Sequence, residues 1–236
     1  MSPIDLDSFT AGLRRITSLD HELDVESTLH RLVDDISTLF DSAGAGLMMV
    51  DADGSLRYVA ASSEDGRLLE QAQQRLGSGP CVDSLLNDRV VTTPDVVDDE
   101  RWPELAEVLR PTSVRAVMGM PIHVASTAIG SLDVYDAHSH TWDATEAEAL
   151  SRVNRVIEHL IGSALLAHHH DELVRQLQHA LDSRVVIERA IGWTMARRAV
   201  SPAEAFNVLR QTARSRRMRV HEVAEEVLQE SEEAAG

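Results

Sequence analysis

From Asp143 to Arg198 the chain contains no proline and only two glycines, Gly162 and Gly192. A run of this length without breakers reads as α-helix, since nothing in it interrupts the backbone ladder. Val153, Ile157, Leu160, Ala164 and Ala167 recur along it at heptad-like spacing and make a narrow apolar stripe. Unbroken, the run spans on the order of 80 Å at about 1.5 Å per residue. A rod so long with so narrow a stripe asks for a partner, and the expectation is a parallel homodimer with Val153, Ile157 and Leu160 on its seam.

The residues before this run follow a different grammar. Over residues 22–40, Val25, Leu29, Leu32, Val33, Ile36, Leu39 and Phe40 step by three and four, the face of an amphipathic helix. Two apolar runs flanking Asp53-Gly54 then read as a β-hairpin. "EDGRLLEQAQQRL" is helical, and "GSGPCVDSLLNDRVVTTPDV" reads as a loop with a short helix. In "VMGMPIHV" Met118, Met120, Ile122 and Val124 alternate with other residues, and "AIGSLDVYDA" supplies another strand after a tight "AST" connection. Helix, hairpin, helix, hairpin predicts an α+β domain on an antiparallel sheet with flanking helices. After the long helix, Ser201, Pro202 and Glu204 stand at N-cap, first-turn and capping-box positions, so further helices follow and an all-α three-helix unit ends the chain.

Charge divides the chain in the same way. The formal net charge is −17, yet residues 181–220 hold nine arginines against Asp182, Glu188 and Glu204, a local +6 that leaves −23 for the remainder. A basic module on an acidic chain is the pattern expected where one part meets a polyanion. All 22 basic residues are arginine. Without lysine there is no Walker-type phosphate loop, no pyridoxal Schiff base and no kinase nucleotide lysine. No apolar run approaches the roughly 18 residues of a membrane span. The start "MSPIDLDSFT" lacks the form of a signal peptide, and the single Cys81 makes no intrachain disulfide, so the expected location is the cytoplasm.

Ser183-Arg184, Ile187-Glu188, Ala190, Gly192, Met195, Ala205-Phe206, Leu209 and Val223-Ala224 together resemble an ANTAR domain, the three-helix RNA-binding module of bacterial transcription antiterminators. The phrases "GPC" (79–81), "PDV" (94–96), "RWPEL" (101–105), "VRAVMGMPI" (114–122) and "IGSLDVY" (129–135) resemble, in that order, a GAF domain of the actinobacterial kind fused to ANTAR modules. The resemblance implies an N-terminal extension over 1–20, a sensory GAF domain with the start of the connecting helix over 21–165, a coiled-coil linker over 166–182, an ANTAR domain over 183–230 and a tail over 231–236. It also implies a cytoplasmic antitermination regulator that binds tandem stem-loops in nascent mRNA, one per protomer. A ligand-sensing module whose helical C-terminal domain binds a protein partner is the alternative, and DNA binding a weaker third.

Arginine guanidinium groups pair with phosphates and stack on unpaired bases, which makes Arg184, Arg197, Arg198, Arg214, Arg216, Arg217 and Arg219 the candidate RNA contacts. Arg189 and Arg210 are expected to pair with neighbouring acids, and Trp193 and Phe206 to fill the helical core. Cys81 is the candidate ligand or sensor residue of the GAF domain, beside the possibility of a small buried hydrophobe. The small molecule, redox or protein signal of that domain is not legible, and the cofactor is unidentified. His168, His169 and His170 point about 100° apart on a helix and cannot converge on one ion; His138 and His140 lie in a loop, and no metal is assigned. Asp34-Asp35 and Asp98-Asp99 read as solvated surface. No nucleophile motif is present, and the expected protein is not an enzyme.

Overall fold

The structure, a computed structural model, describes residues 25–166 and 172–235 of the 236. Helix α1 (Val25–Phe40) buries Val25, Leu29, Leu32, Val33, Ile36 and Phe40, the face that the spacing predicts. Strand β1 (Gly44–Val50) is buried along its length and returns as β2 (Leu56–Ala61). At the turn between them Asp51 Oδ1 accepts the N–H groups of Asp53 at 2.9 Å and Ser55 at 3.0 Å, and Gly54 takes a φ of 69°. Helix α2 (Glu64–Leu76) starts on Ser63, whose side chain accepts the Gly66 N–H, and stops at Gly77 in the left-handed conformation. Helix α3 (Pro80–Asn87) follows at once, with Pro80 in its first turn.

Beyond α3 come β3 (Val91–Thr93) and α4 (Pro103–Leu109), then the hairpin β4 (Ala116–Val124) and β5 (Thr127–Asp136). Strand β3 stands where the sequence pattern predicts a loop, because three residues are too few to show alternation. The "RWP" stretch opens α4 with Pro103 in its first turn. All five strands form one antiparallel sheet in the order β2-β1-β5-β4-β3. On one face Met118, Met120, Leu132 and Val134 join a core with α1, α5 (Ala144–Leu166) and the start of α6 (Glu172–Arg198). On the other, Val117 and Tyr135 pack with Leu69 of α2 and with Trp102, Leu105 and Leu109.

The run does not extend as one rod, and two of the three expected seam residues face the chain's own core. Described helix ends at Leu166 and resumes at Glu172, and α6 does not run on away from the domain: it lies against β1, β5 and α1. Val153 and Ile157 are fully buried in the core of the same chain with Ile161 and Ala164, and Leu160 is half-buried against it. The stripe covers a sheet face of its own chain. Ala167, the histidine tract and the 1–20 extension lie outside the described residues, as does part of the linker.

Helix α6 serves two cores. Its first half places Val174, Leu177 and Ala180 on the sheet domain, and its second half places Ile187, Ala190 and Ile191 in a three-helix bundle with α7 (Pro202–Arg216) and α8 (Val220–Ala235). Ala205, Phe206, Leu209, Ala213, Val220, Val223 and Ala224 complete that bundle's core. Ser201 and Glu204 form the expected capping box at the start of α7.

Candidate functional sites

The bundle carries its arginines in two groups. Arg214, Arg216, Arg217 and Arg219 are exposed at the C-terminal end of α7 and in the turn after it, while Arg197 and Arg198 are exposed at the end of α6. Since α7 begins four residues after Arg198 and has 15 residues, the two groups stand roughly 20 Å apart along it. Arg214 and Arg216 complement the negative end of the α7 dipole, and Arg216 Nη1 also meets Glu226 Oε2 at 2.6 Å. Arg217 ends the helix with a φ of 56°, a left-handed conformation that favours glycine.

Arg184 does not join either group. Its side chain is 2% exposed, its Nε donates to Glu188 Oε1 at 2.8 Å, and its Nη1 has no partner. Burial pulls its pKa down and Glu188 opposes that shift. It sits where the bundle docks on the sheet domain, beside Gly54: a Cβ on Gly54 would lie 2.9 Å from Ile187 Cδ1 and 3.9 Å from Arg184 Nη1. Arg210 lies in the same seam, its guanidinium against Gly77 and 5.8 Å from the Phe206 ring centroid, where burial and then the charges of Arg214 and Arg57 lower its pKa. Leu86 of α3 packs on the bundle core, and the cleft between the modules holds about 10 Å³, at the limit for one water. The arginine expected to contact RNA at 184 is therefore enclosed by its own chain in this arrangement, because a helix shared by two modules has its outer face covered where they meet.

A second arrangement lies inside the sheet domain. Asp133 stands on β5 opposite Gly46 of β1 on one side and Gly119 of β4 on the other. Neither neighbour has a side chain, and the room is taken from above. A Cβ on Gly46 would collide with Glu70 Oε1 and lie 2.9 Å from Asp133 Oδ2; one on Gly119 would sit 3.3 Å from the Pro80 carbonyl oxygen and 3.5 Å from Cys81 Cα. So α2 brings Glu70 and α3 brings Cys81 onto Asp133. Cys81 Sγ donates to Asp133 Oδ2 at 3.2 Å, and all three residues are fully buried. Gln73, equally buried, joins the pieces: its Nε2 donates to Glu70 Oε2 at 3.3 Å and its Oε1 accepts the Cys81 N–H at 2.9 Å.

The electrostatics follow from burial. Glu70 is pushed well above the carboxylate range, first by desolvation and then by the charge of Asp133. Asp133 is also raised by desolvation, although bonds from Glu70 and Cys81 hold it back. Cys81 is raised by burial and by both acids, so it is a fully buried thiol, unlike an exposed redox sensor. Sequence pattern alone does not single out Glu70 and Asp133. An aspartate midway along an otherwise apolar strand is the one signal it offers.

His140 Nε2 lies 2.9 Å from Glu146 Oε1, and exposed His138 lies 3.6 Å from Asp136 Oδ1, so each of the two loop histidines stands beside a carboxylate. Phe206 is in the bundle core, whereas Trp193 is half-buried outside it. Asp34 and Asp98 are exposed and Asp35 is half-buried, while Arg101 holds Asp99 down to about 2 through hydrogen bonds. A recess of about 380 Å³ lies between α1, the β1–β2 hairpin and α6, lined by Glu26, His30, Arg57, Tyr58 and Leu177 among others. Among the described residues no helix is long and apolar enough to cross a membrane.

Comparison with known proteins gives two family matches: the GAF domain over residues 24–161 and the ANTAR domain over residues 175–228. No curated protein matches the chain. Among solved structures, the GAF domain from Acinetobacter phosphoenolpyruvate-protein phosphotransferase is 13% identical over 71% of this chain and 98% of its own, with a TM-score of 0.56. Free methionine-R-sulfoxide reductase from Neisseria meningitidis, in complex with its substrate, is 18% identical over 67% of this chain and 91% of its own, with a TM-score of 0.55. The phycocyanobilin-bound GAF domain from a cyanobacterial phytochrome is 21% identical over 69% and 98%, with a TM-score of 0.53. At such identities the likeness is one of fold.

Proposed function

We propose, from the premise that the chain belongs to the GAF domain family and carries an ANTAR domain behind it, that it is an RNA-binding antitermination regulator in which the first domain governs the second. The observation that carries this reading is the set of exposed arginines Arg214, Arg216, Arg217 and Arg219 on a chain of net charge −17. Four guanidinium groups within six residues suit the phosphates and splayed bases of a hairpin loop. Arg197 and Arg198 reach a second stretch of backbone. The role is regulatory, and the site of action is the cytoplasm, where transcripts emerge.

Control runs through docking. With the modules packed, Arg184 is enclosed and Arg210 half-buried; with them apart, both join the exposed arginines. A signal that binds one arrangement better than the other shifts RNA affinity by that difference, about 1–3 kcal/mol for a 5-fold to 150-fold change. Two tandem hairpins engage two RNA faces, which a homodimer provides through a surface other than the Val153–Ile157 stripe.

Titration with a two-hairpin RNA, a loop-scrambled RNA and duplex DNA tests the reading. The intact hairpins should bind tightest at physiological salt, with a log-log salt slope that reports several neutralised phosphates. Equal affinity for all three would overturn RNA specificity.

A further inference from the structure

Glu70, Cys81 and Asp133 each offer a ligand atom within 4.8 Å of the others, fully buried. Two carboxylates facing one another out of water need either a shared proton or a cation between them. Glu70 and Asp133 bond each other, but Glu70 Oε1 and Asp133 Oδ1 accept from no other group, and Ser131 Oγ, on the same face of β5 two residues earlier, is also buried without a partner. Among the described residues no arginine hydrogen-bonds or ion-pairs with either carboxylate. We infer that Glu70, Cys81 and Asp133 form a site for a divalent transition-metal cation of borderline softness, such as zinc or ferrous iron.

Distances and donor set agree with this class. Metal–sulfur and metal–oxygen bonds of about 2.3 and 2.0–2.2 Å put tetrahedral neighbours roughly 3.5 Å apart, close to the 3.2 Å from Cys81 Sγ to Asp133 Oδ2. One thiolate with two carboxylates is too soft for magnesium or calcium and suits zinc or ferrous iron. Binding displaces the Cys81 thiol proton and the proton shared by the two facing carboxylates, so a dication replaces two protons and the buried charge is unchanged. Gln73 is the outer support: it bonds Glu70 and the Cys81 backbone at once, orienting both ligands. Gly46 and Gly119 keep the sheet side clear. This site is independent of the RNA reading.

Cobalt(II) titration of the metal-stripped, full-length protein is the test. The expected result is a near-ultraviolet thiolate-to-cobalt band that saturates stoichiometrically and is removed by zinc(II). Because Cys81 is the only cysteine in the chain, that band identifies its ligand without any variant. Asp133→Asn and Glu70→Gln should each weaken binding by more than about 10-fold, and Gln73→Ala by about 10-fold to 100-fold. His138→Ala with His140→Ala should leave the band unchanged. A folded protein, by circular dichroism, that gives no band overturns the site, and so does binding indifferent to Asp133→Asn and Glu70→Gln. The cluster then holds a shared proton only. Loss of RNA binding has no bearing on this readout.

Discussion

Arg184 Nε donates to Glu188 Oε1 at 2.8 Å, one turn further along α6, from a side chain that is 2% exposed and whose Nη1 has no partner. A buried cation held by one half-exposed carboxylate stabilises little, since desolvation offsets the attraction. Arg184→Met should leave the thermal midpoint unchanged or raised. Glu188→Gln, which strands the guanidinium, should cost about 1 kcal/mol. Thermal melts of both variants check the order; a larger loss from Arg184→Met would mean that the guanidinium anchors the seam.

Arg217 holds a φ of 56° at the end of α7, where a residue with a Cβ is strained by on the order of 1 kcal/mol. Arg217→Gly removes the guanidinium and that strain together. RNA affinity should fall, and its salt slope should lessen by about 0.7–0.9 for each phosphate left without a guanidinium, while stability stays level or rises. Weaker RNA binding accompanied by a lower melting temperature would instead point to damaged folding. Unchanged affinity would move the RNA face elsewhere.

Ile157 is fully buried between α5 and the sheet. Ile157→Ala should therefore destabilise the GAF domain by about 2–5 kcal/mol in a urea melt. A folded monomer with an unshifted midpoint would restore the stripe as a seam between two chains.

Periodicity made the outer frame legible, and register hid the rest. The stripe Val25 to Phe40, the Asp53-Gly54 turn and the Ser201 capping box each signal locally, and each element forms as its signal says. The alternation in β4 and β5 marks strands but not neighbours. Only pairing across three strands sets Gly46, Asp133 and Gly119 in a row, and only that row explains why Glu70 and Cys81 meet. The α5 stripe misled for a related reason. A narrow apolar seam looks the same in sequence whether a sheet or a second helix covers it. Arg184 reads as a free cation until the docking of the modules is known.

Helix α3 ties the two modules together. Cys81, its second residue, faces Asp133, and Leu86, near its end, packs on the bundle core that includes Phe206 and Ile187. A short rigid helix cannot shift one end without the other, so the proposed control by docking predicts that α3, beside the shared helix α6, carries an event in the GAF domain to the ANTAR domain. Leu86→Asp places a charge in that apolar interface and should undock the bundle. Leu86 is half-buried and also touches the edge of the GAF core, so some loss of GAF stability should accompany undocking while the fully buried residues of β4 and β5 keep that core folded. Undocking exposes Arg184 and Arg210, so affinity for the two-hairpin RNA should rise within the 5-fold to 150-fold range of a coupling worth about 1–3 kcal/mol. Hydrogen exchange should quicken in α7 and at the Gly54 turn while β4 and β5 stay protected. Faster exchange there with RNA affinity unmoved would show that the docked face does not restrain RNA binding, and control by docking would fall while the arginine cluster kept its role.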